Sequence, residues 1–403
     1  MIEKSAIKIL VVDDEPFLLN LHARILNNLG YTSVKTYDSA FQALEAFDIS
    51  SVPPDLILMD LNMPEMDGVE FMRSLVKCDY SGSIILVSGE DERILQSAEK
   101  LVQAHQLTVL GHLRKPVKPE TLSALLAKWK PVSHRDSLAA KKTYTAEEIR
   151  AAIANGELVN YYQPKVSLLT GHVVGVETLV RWKHPVDGLI FPDQFISVAE
   201  ENGLICGLTR TVIAAAMGHT GAWQYETGLA LQVAVNVSMD DLNSLDFADY
   251  VSSAADTAGV PSKNVTLEVT ESRLMQDRRV PLEVLTRLRL KRFRISIDDF
   301  GTGHSSLAQL RDMPFDELKI DRGFVHRAWT DETVAAIFET SVLLATQLDM
   351  QIVTEGVEDR ADWDYVRRAR CHVAQGYFIA KPMPAEALCE WIDEWEERGL
   401  EAG

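Results

Sequence analysis

Residues 231–238 read LQVAVNVS, residues 264–271 NVTLEVTE and residues 293–300 FRISIDDF, and together these three stretches decide the fold. Side chains on a strand alternate between two faces, so Val233, Val235 and Val237 fall opposite Ala234, Asn236 and Ser238. By the same rule Val265, Leu267 and Val269 oppose Thr266, Glu268 and Thr270, while Ile295 and Ile297 oppose Arg294, Ser296 and Asp298. One face is greasy and the other ionisable. A single such strand is most simply an edge strand with one wet face, but three in succession call for an interior that is itself polar. If the greasy faces pack on outer helices, the polar faces converge inside a barrel near the carboxyl ends of its strands.

Working outward, further strand candidates are ELVNYYQP, HVVGVETLVRW, ELKID, MQIVTE and HVAQGYF, with amphipathic helices between most of them. About eight strand and helix units in roughly 250 residues is the arithmetic of a TIM-like (β/α)8 barrel. Upstream the pattern differs. IKILVV, SVKTY, DLILMD, SIILVS and LTVLGHL are continuous apolar runs separated by helix-like sequence, as expected of a doubly wound parallel sheet covered on both faces. The fold class is therefore α/β, with a smaller domain over 1–130, a linker over 131–144 and the barrel over 145–403. The linker begins PVSHRDSLAAKKT, which lacks apolar periodicity, and Thr145 followed by Glu148 reads as a capping box opening a helix that stops at Gly156.

The 403 residues carry a formal charge of −19, with 13 basic and 18 acidic residues through Lys130 and 27 basic and 41 acidic beyond. Both parts would repel a nucleic-acid backbone, which argues against DNA as a partner. Cys78, Cys206, Cys371 and Cys389 form no CxxC pair, so neither a disulfide framework nor a zinc site is expected. No stretch approaches the roughly 18 apolar residues of a membrane span, and the opening MIEKSAIKILVVDDE lacks a signal-peptide pattern, so no membrane contact and a cytoplasmic location are expected.

Two acidic constellations carry the chemistry. In the first, Asp13 and Asp14 follow IKILVV, Asp60 ends DLILMD, Ser88 ends SIILVS and Lys115 precedes Pro116. Beyond the carboxyl ends of a doubly wound sheet these residues can meet, where hard oxygen donors suit Mg²⁺ and one carboxylate can attack a phosphoryl group. Asp13 and Asp14 taken alone read as helix caps. The second constellation is Glu177, Asn236, Glu268, Glu271, Asp298, Asp299, Lys319, Glu355 and Gln375, most of them at a predicted strand end. Converging carboxylates repel unless cations or shared protons compensate them, so an oxygen-preferring pair of Mg²⁺ or Mn²⁺ ions is expected, of the kind that serves phosphate-ester hydrolysis. Asp298 and Asp299 are neighbours, so Asp299 is expected past the strand end, where Gly301 and Gly303 let the backbone bend. Taken singly, Lys319 reads as a surface lysine, Asn236 or Gln375 as a buried amide and Glu271 as a helix cap; only the ensemble points to a site.

The strings VVDDE, DLNMPEMDG and RKPV make residues 5–130 resemble the receiver domains of two-component response regulators. The resemblance implies Asp60 as phosphoacceptor, Asp13, Asp14 and the Asn62 backbone as Mg²⁺ ligands, and Ser88 and Lys115 as switch residues. It also implies a sensor histidine kinase as phosphodonor. His112 stands where such domains carry a switch aromatic. From Thr145 onward, YYQPK, ETLVR, AVNVS, LEVTES, SIDDFGTG, ELKID, VTEGVE and AQGYF resemble the EAL-domain family of cyclic di-GMP phosphodiesterases. That resemblance implies a modified (β/α)8 barrel that opens cyclic di-GMP to pGpG. Its substrate contacts would be Gln163, Arg181 and Gln375, and its metal ligands Glu177, Asn236, Glu268, Asp298 and Asp299. Lys319 would orient the attacking water, Glu355 would be the leading general base, Glu271 would steady the loop after Asp299, and barrel dimers are implied. Thr178 replaces the alanine of the naming triplet and is expected to face away from Glu177; His304 stands where the loop usually carries tyrosine. The rival functions are a catalytically silent cyclic di-GMP receptor and a phosphorelay or scaffold protein.

Overall fold

The computed structural model describes residues 3–49, 53–78, 80–90, 94–95, 98–99, 101–102, 107–129, 144–270, 279–301, 310 and 313–399. The chain divides into two compact units, Met1–Lys141 and Lys142–Gly403. Most of the expected linker, together with Glu271, Gly303 and His304, lies outside the described residues.

The first unit is a five-stranded parallel sheet of β1 (Ile9–Val12), β2 (Val34–Tyr37), β3 (Leu56–Asp60), β4 (Ser83–Ser88) and β5 (Thr108–Arg114), in the order β2-β1-β3-β4-β5. Every residue of β1, β3 and β4 is buried, which is why these runs are apolar without alternation. Chain order reverses between β1 and β3, and a crevice forms there beyond the carboxyl ends. Asp13 and Asp60 stand at that point. Neither Asp13 nor Asp14 is the N-cap: helix Pro16–Asn28 begins after Glu15 without a side-chain cap, and Asp13 Oδ1 accepts instead from Glu15 N at 3.0 Å.

The second unit opens as expected, with Thr145 and Glu148 completing a capping box on helix Ala146–Asn155 and Gly156 closing it at φ 69°. Its barrel is a closed ring of eight strands: β6 (Leu158–Ser167), β7 (Val173–His184), β9 (Gln232–Val237), β10 (Val265–Thr270), β11 (Arg294–Phe300), β12 (Glu317–Ile320), β13 (Gln351–Thr354) and β14 (Val373–Ala374). Short strands β8 (Gly188–Ile190) and β15 (Met383–Pro384) attach to its rim. Within the ring, strand β6 runs antiparallel to both neighbours and the other six pairs are parallel. The short link from Ser167 to Val173 explains this, because a parallel partner needs a crossover of a dozen or more residues. The alternation read from the sequence is realised. Val233, Val235, Val237, Val265, Leu267, Val269 and Ile295 join the apolar layer under the helices, while Thr266, Glu268, Ser296, Asp298, Glu317 and Lys319 are buried on the inner side. Among the described residues no helix is long and apolar enough to cross a membrane.

Candidate active site

In the first unit, Lys115 Nζ lies 2.6 Å from Asp60 Oδ2 and 3.0 Å from Asp13 Oδ2. Burial opposes its charge, but hydrogen bonds to Asp60 and Asp13 hold the ammonium above its ordinary pKa. Asp13, Asp14 and Asp60 each offer an oxygen within 4.8 Å of the others, so the donor chemistry fits one hard divalent cation. Asn62 N donates to Asp60 Oδ1 at 3.3 Å, and Ser88 Oγ accepts from Glu90 N at 3.2 Å, both on the rim of the same crevice. His112 is tied to Glu99, with Nδ1 2.8 Å from Oε2.

The centre of the barrel is Lys319. It is fully buried, with Nζ 2.6 Å from Glu355 Oε1, 2.8 Å from Glu268 Oε2, 3.0 Å from Asp298 Oδ1 and 3.7 Å from Glu177 Oε1. Burial alone would strip its proton, and these four carboxylates instead hold its pKa well above the usual lysine value. Lys165, two residues beyond Gln163 and therefore on the same face of β6, reaches Glu268 Oε1 at 2.7 Å. Burial pushes Glu268 up, but the lysines Lys165 and Lys319 overcome it and pull its pKa down to about 2. Lys319 also pulls on the others, but there burial outweighs it. Burial raises Glu177, raises Glu355 well above the carboxylate range, and lifts Asp299 to about 6 with help from Asp298 and Asp321. Five carboxylates facing two lysines thus retain an excess of negative charge that protons or cations must balance.

Asp298, Asp299 and Glu355 supply three oxygens within 4.8 Å of one another, an all-oxygen set that fits divalent ions of the Mg²⁺ or Mn²⁺ type. Asp299 joins Asp298 by a route the sequence did not disclose. It lies inside β11 rather than past its end, at an irregularity between Ile297 and Phe300, and takes φ 55° itself. A bulge adds a residue to one strand, so two consecutive side chains can serve one face.

Around this core the amides form a chain. Asn236 Nδ2 donates to Glu177 Oε1 at 3.1 Å, Gln375 Nε2 donates to Glu177 Oε2 at 2.5 Å and to Gln163 Oε1 at 2.9 Å, and Gln163 Nε2 donates to Ala380 O at 3.0 Å. Arg181 sits higher on the same strand face as Glu177. Its guanidinium rests 4.9 Å from the Phe191 ring centre and 5.7 Å from that of Tyr161, and its Nη1 donates to Val180 O. Thr178 is buried with its hydroxyl unpartnered, lining a cavity of about 280 Å³ beside Leu208, Thr209 and Val212. The structure thus brings together the described acids, amides and lysine assigned to the barrel site, sets Arg181 against the Tyr161 and Phe191 rings on the strand of Glu177, and adds Lys165. The quoted YYQPK already contained that lysine, and period-two alternation from Gln163 is the signal that would have found it.

A ring of eight strands with its acidic cluster at their carboxyl ends, preceded in the same chain by a doubly wound sheet with an Asp and Lys crevice, defines a barrel of the EAL type that follows a receiver-like domain. The EAL domain model matches residues 146–382 and the response regulator receiver domain model matches residues 9–127, so the chain belongs to the EAL-domain family and carries a receiver domain. Among similar proteins, the cyclic di-GMP phosphodiesterase RocR of Pseudomonas aeruginosa is 31% identical over 390 residues, covering 96% of this chain and 98% of that protein. The bifunctional diguanylate cyclase/cyclic di-GMP phosphodiesterase MucR of Pseudomonas aeruginosa is 40% identical over 241 residues, which are 60% of this chain and 35% of MucR. A solved structure of the MucR phosphodiesterase in complex with c-di-GMP superposes with a TM-score of 0.57 at 40% identity, over 60% of this chain and 98% of that one.

Proposed function

We propose that the chain is a response regulator that hydrolyses cyclic di-GMP to linear pGpG, with phosphorylation of Asp60 governing the activity. The observation that carries this reading is the Asp298, Asp299 and Glu355 oxygen cluster braced by the buried Lys319 at the strand ends. Glu177, Asn236, Glu268, Asp298 and Asp299 would hold two Mg²⁺ or Mn²⁺ ions. Bound there, such ions would lower the pKa of a water and stabilise charge on the phosphoryl oxygens. In the hydrolysis, water adds to phosphorus and the bond from phosphorus to one ribose 3′ oxygen breaks. Lys319 orients the attacking water; Glu355, ionised once cations offset the acids around it, takes the water's proton, and the same carboxyl gives a proton to the departing 3′ oxygen, which leaves as an alcohol. Gln163, Arg181 and Gln375 bind the substrate, Arg181 as a charged donor packed against the Tyr161 and Phe191 rings. In the receiver, a sensor histidine kinase supplies the phosphoryl group to Asp60, with Asp13, Asp14 and Asn62 holding Mg²⁺ and Ser88, His112 and Lys115 reading the modified state. Assembly into homo-oligomers through the barrel belongs to the same proposal.

The test is to incubate the purified chain with cyclic di-GMP and Mg²⁺ or Mn²⁺, with and without acetyl phosphate, and resolve the products by chromatography. The expected result is pGpG from the wild type and a loss of about 10² to 10⁴-fold in Glu355→Gln. Asp60→Asn is expected to keep basal turnover and lose the response to acetyl phosphate. Nucleotide that binds but stays intact in every condition would replace the hydrolase with a silent receptor.

A further inference from the structure

The turn that carries Glu355 is held from the side by a group that neither sequence nor family motif singled out. Asp362 is completely buried in the first turn of helix Arg360–Arg368, with three donors on its carboxylate. Arg327 N donates to Oδ1 at 2.9 Å, Glu358 N donates to Oδ2 at 3.0 Å, and His326 Nδ1 stands 2.7 Å from Oδ2. The carboxylate only accepts, so Nδ1 carries the proton. His326 and Arg327 belong to the segment that follows β12, the strand of Lys319; Glu358 belongs to the turn that follows β13 and begins with Glu355. One buried carboxylate therefore pins together the two connections whose strands present Lys319 and Glu355 to each other. Two further contacts run the same way. Arg322 Nη2 lies 2.6 Å from Glu358 Oε1, and His326 Nε2 lies 3.6 Å from Glu358 Oε2. Gly356, at φ 64°, lets the turn lie directly on the Arg322 side chain, where a Cβ would collide.

We infer that His326, acting through Asp362, is a positioning residue that sets Glu355 against Lys319, a role that rests on the hydrolase reading above. Without the imidazole, Asp362 keeps its burial but loses a donor, and a buried carboxylate short of a hydrogen bond turns toward whatever donor or water it can reach. The Glu358 amide is then released, and Glu355 moves relative to Lys319. A misplacement on the order of 1 Å in a catalytic group costs about 100-fold in rate.

The experiment compares wild type, His326→Ala and His326→Asn, the last returning an N–H donor near the position of Nδ1. Initial rates on cyclic di-GMP are measured beside hydrogen exchange of the peptide spanning 355–359. His326→Ala is expected to lower kcat about 10- to 100-fold with KM within about twofold. Exchange should quicken in the 355–359 peptide while β9 and β10 stay protected, and His326→Asn should recover most of both. An Ala variant with wild-type kcat and wild-type exchange overturns the inference. So does a variant whose whole barrel exchanges faster, or one in which Asn rescues nothing. Should the wild type itself fail to cleave cyclic di-GMP, the hydrolase reading falls; the exchange comparison then decides by itself whether His326 ties down this turn.

Discussion

Replacing Lys165 by Met tests the charge balance inside the barrel. Lys165 and Lys319 share Glu268, whose pKa drops from its usual 4.5 to about 2 even though burial pushes it the other way. The gap between those two values corresponds to roughly 3 kcal/mol of stabilisation at neutral pH. Lys165 makes the larger charge contribution to it, and its removal leaves Glu268 buried with a single cation. Breaking one side of a buried pair typically costs about 3–5 kcal/mol, offset in part because a methionine side chain needs no hydration. A net loss of about 2–3 kcal/mol follows, or about 5–10 °C in the barrel's melting transition at pH 7. The sign with pH is fixed. A carboxylate with a depressed folded pKa stabilises the fold above its unfolded value of 4.5, and that contribution disappears as pH falls toward about 2. The difference between Lys165→Met and wild type should therefore hold from pH 7 to about 5 and narrow as pH falls below 4.5 in calorimetric scans, and adding Glu268→Gln should return part of the lost stability. A shift below about 2 °C at pH 7, or a difference that widens on acidification, would refute the reasoning.

Thr178→Ala should leave turnover within about twofold and stability within about 1 kcal/mol, because the orphaned buried hydroxyl it removes offsets the lost methyl contacts; parallel rate and melting measurements decide it, and a tenfold loss of activity would show that Thr178 acts on Glu177 after all. Mn²⁺ affinity, followed by calorimetry, should weaken as pH falls through about 6, since Asp299 then holds a proton the ion must displace, and binding should release protons to the buffer. An affinity flat between pH 8 and 5.5 would remove Asp299 from the ligand set.

Much of this was legible because it depends on alternation. Once Val233, Leu267 and Ile295 are assigned outward, Asn236, Glu268 and Ser296 fall on the inner face, Glu268 and Ser296 buried and Asn236 exposed beside Glu177, and the barrel's polar lining follows. Lys319 is instructive: by itself it reads as a surface lysine, yet it is wholly enclosed, and only the number of acids around it in the sequence foretold the need for a cation. What local pattern could not supply was backbone irregularity and distant pairing. Asp299 reaches the cluster through a bulge in β11 and a positive φ of its own, where flexible glycines beyond it had seemed necessary. The bridge from His326 to Asp362 joins two connections on no shared periodicity, so no spacing announces it.

The manner in which β6 closes the ring bears on how the protein is made. Gln163 Nε2 bonds Ala380 O across a separation of 217 residues, and Gln375 bonds Glu177 across 198. A ribosome emits the chain from the amino end, and domains fold as they emerge. The Asp60 and Lys115 crevice is complete long before the barrel can shut, whereas Gln163 and Glu177 lack their Ala380 and Gln375 partners until those residues emerge. A chain cut before Val373 would keep every strand of the first unit yet lack β14, Gln375 and Ala380, so its barrel ring would stay open.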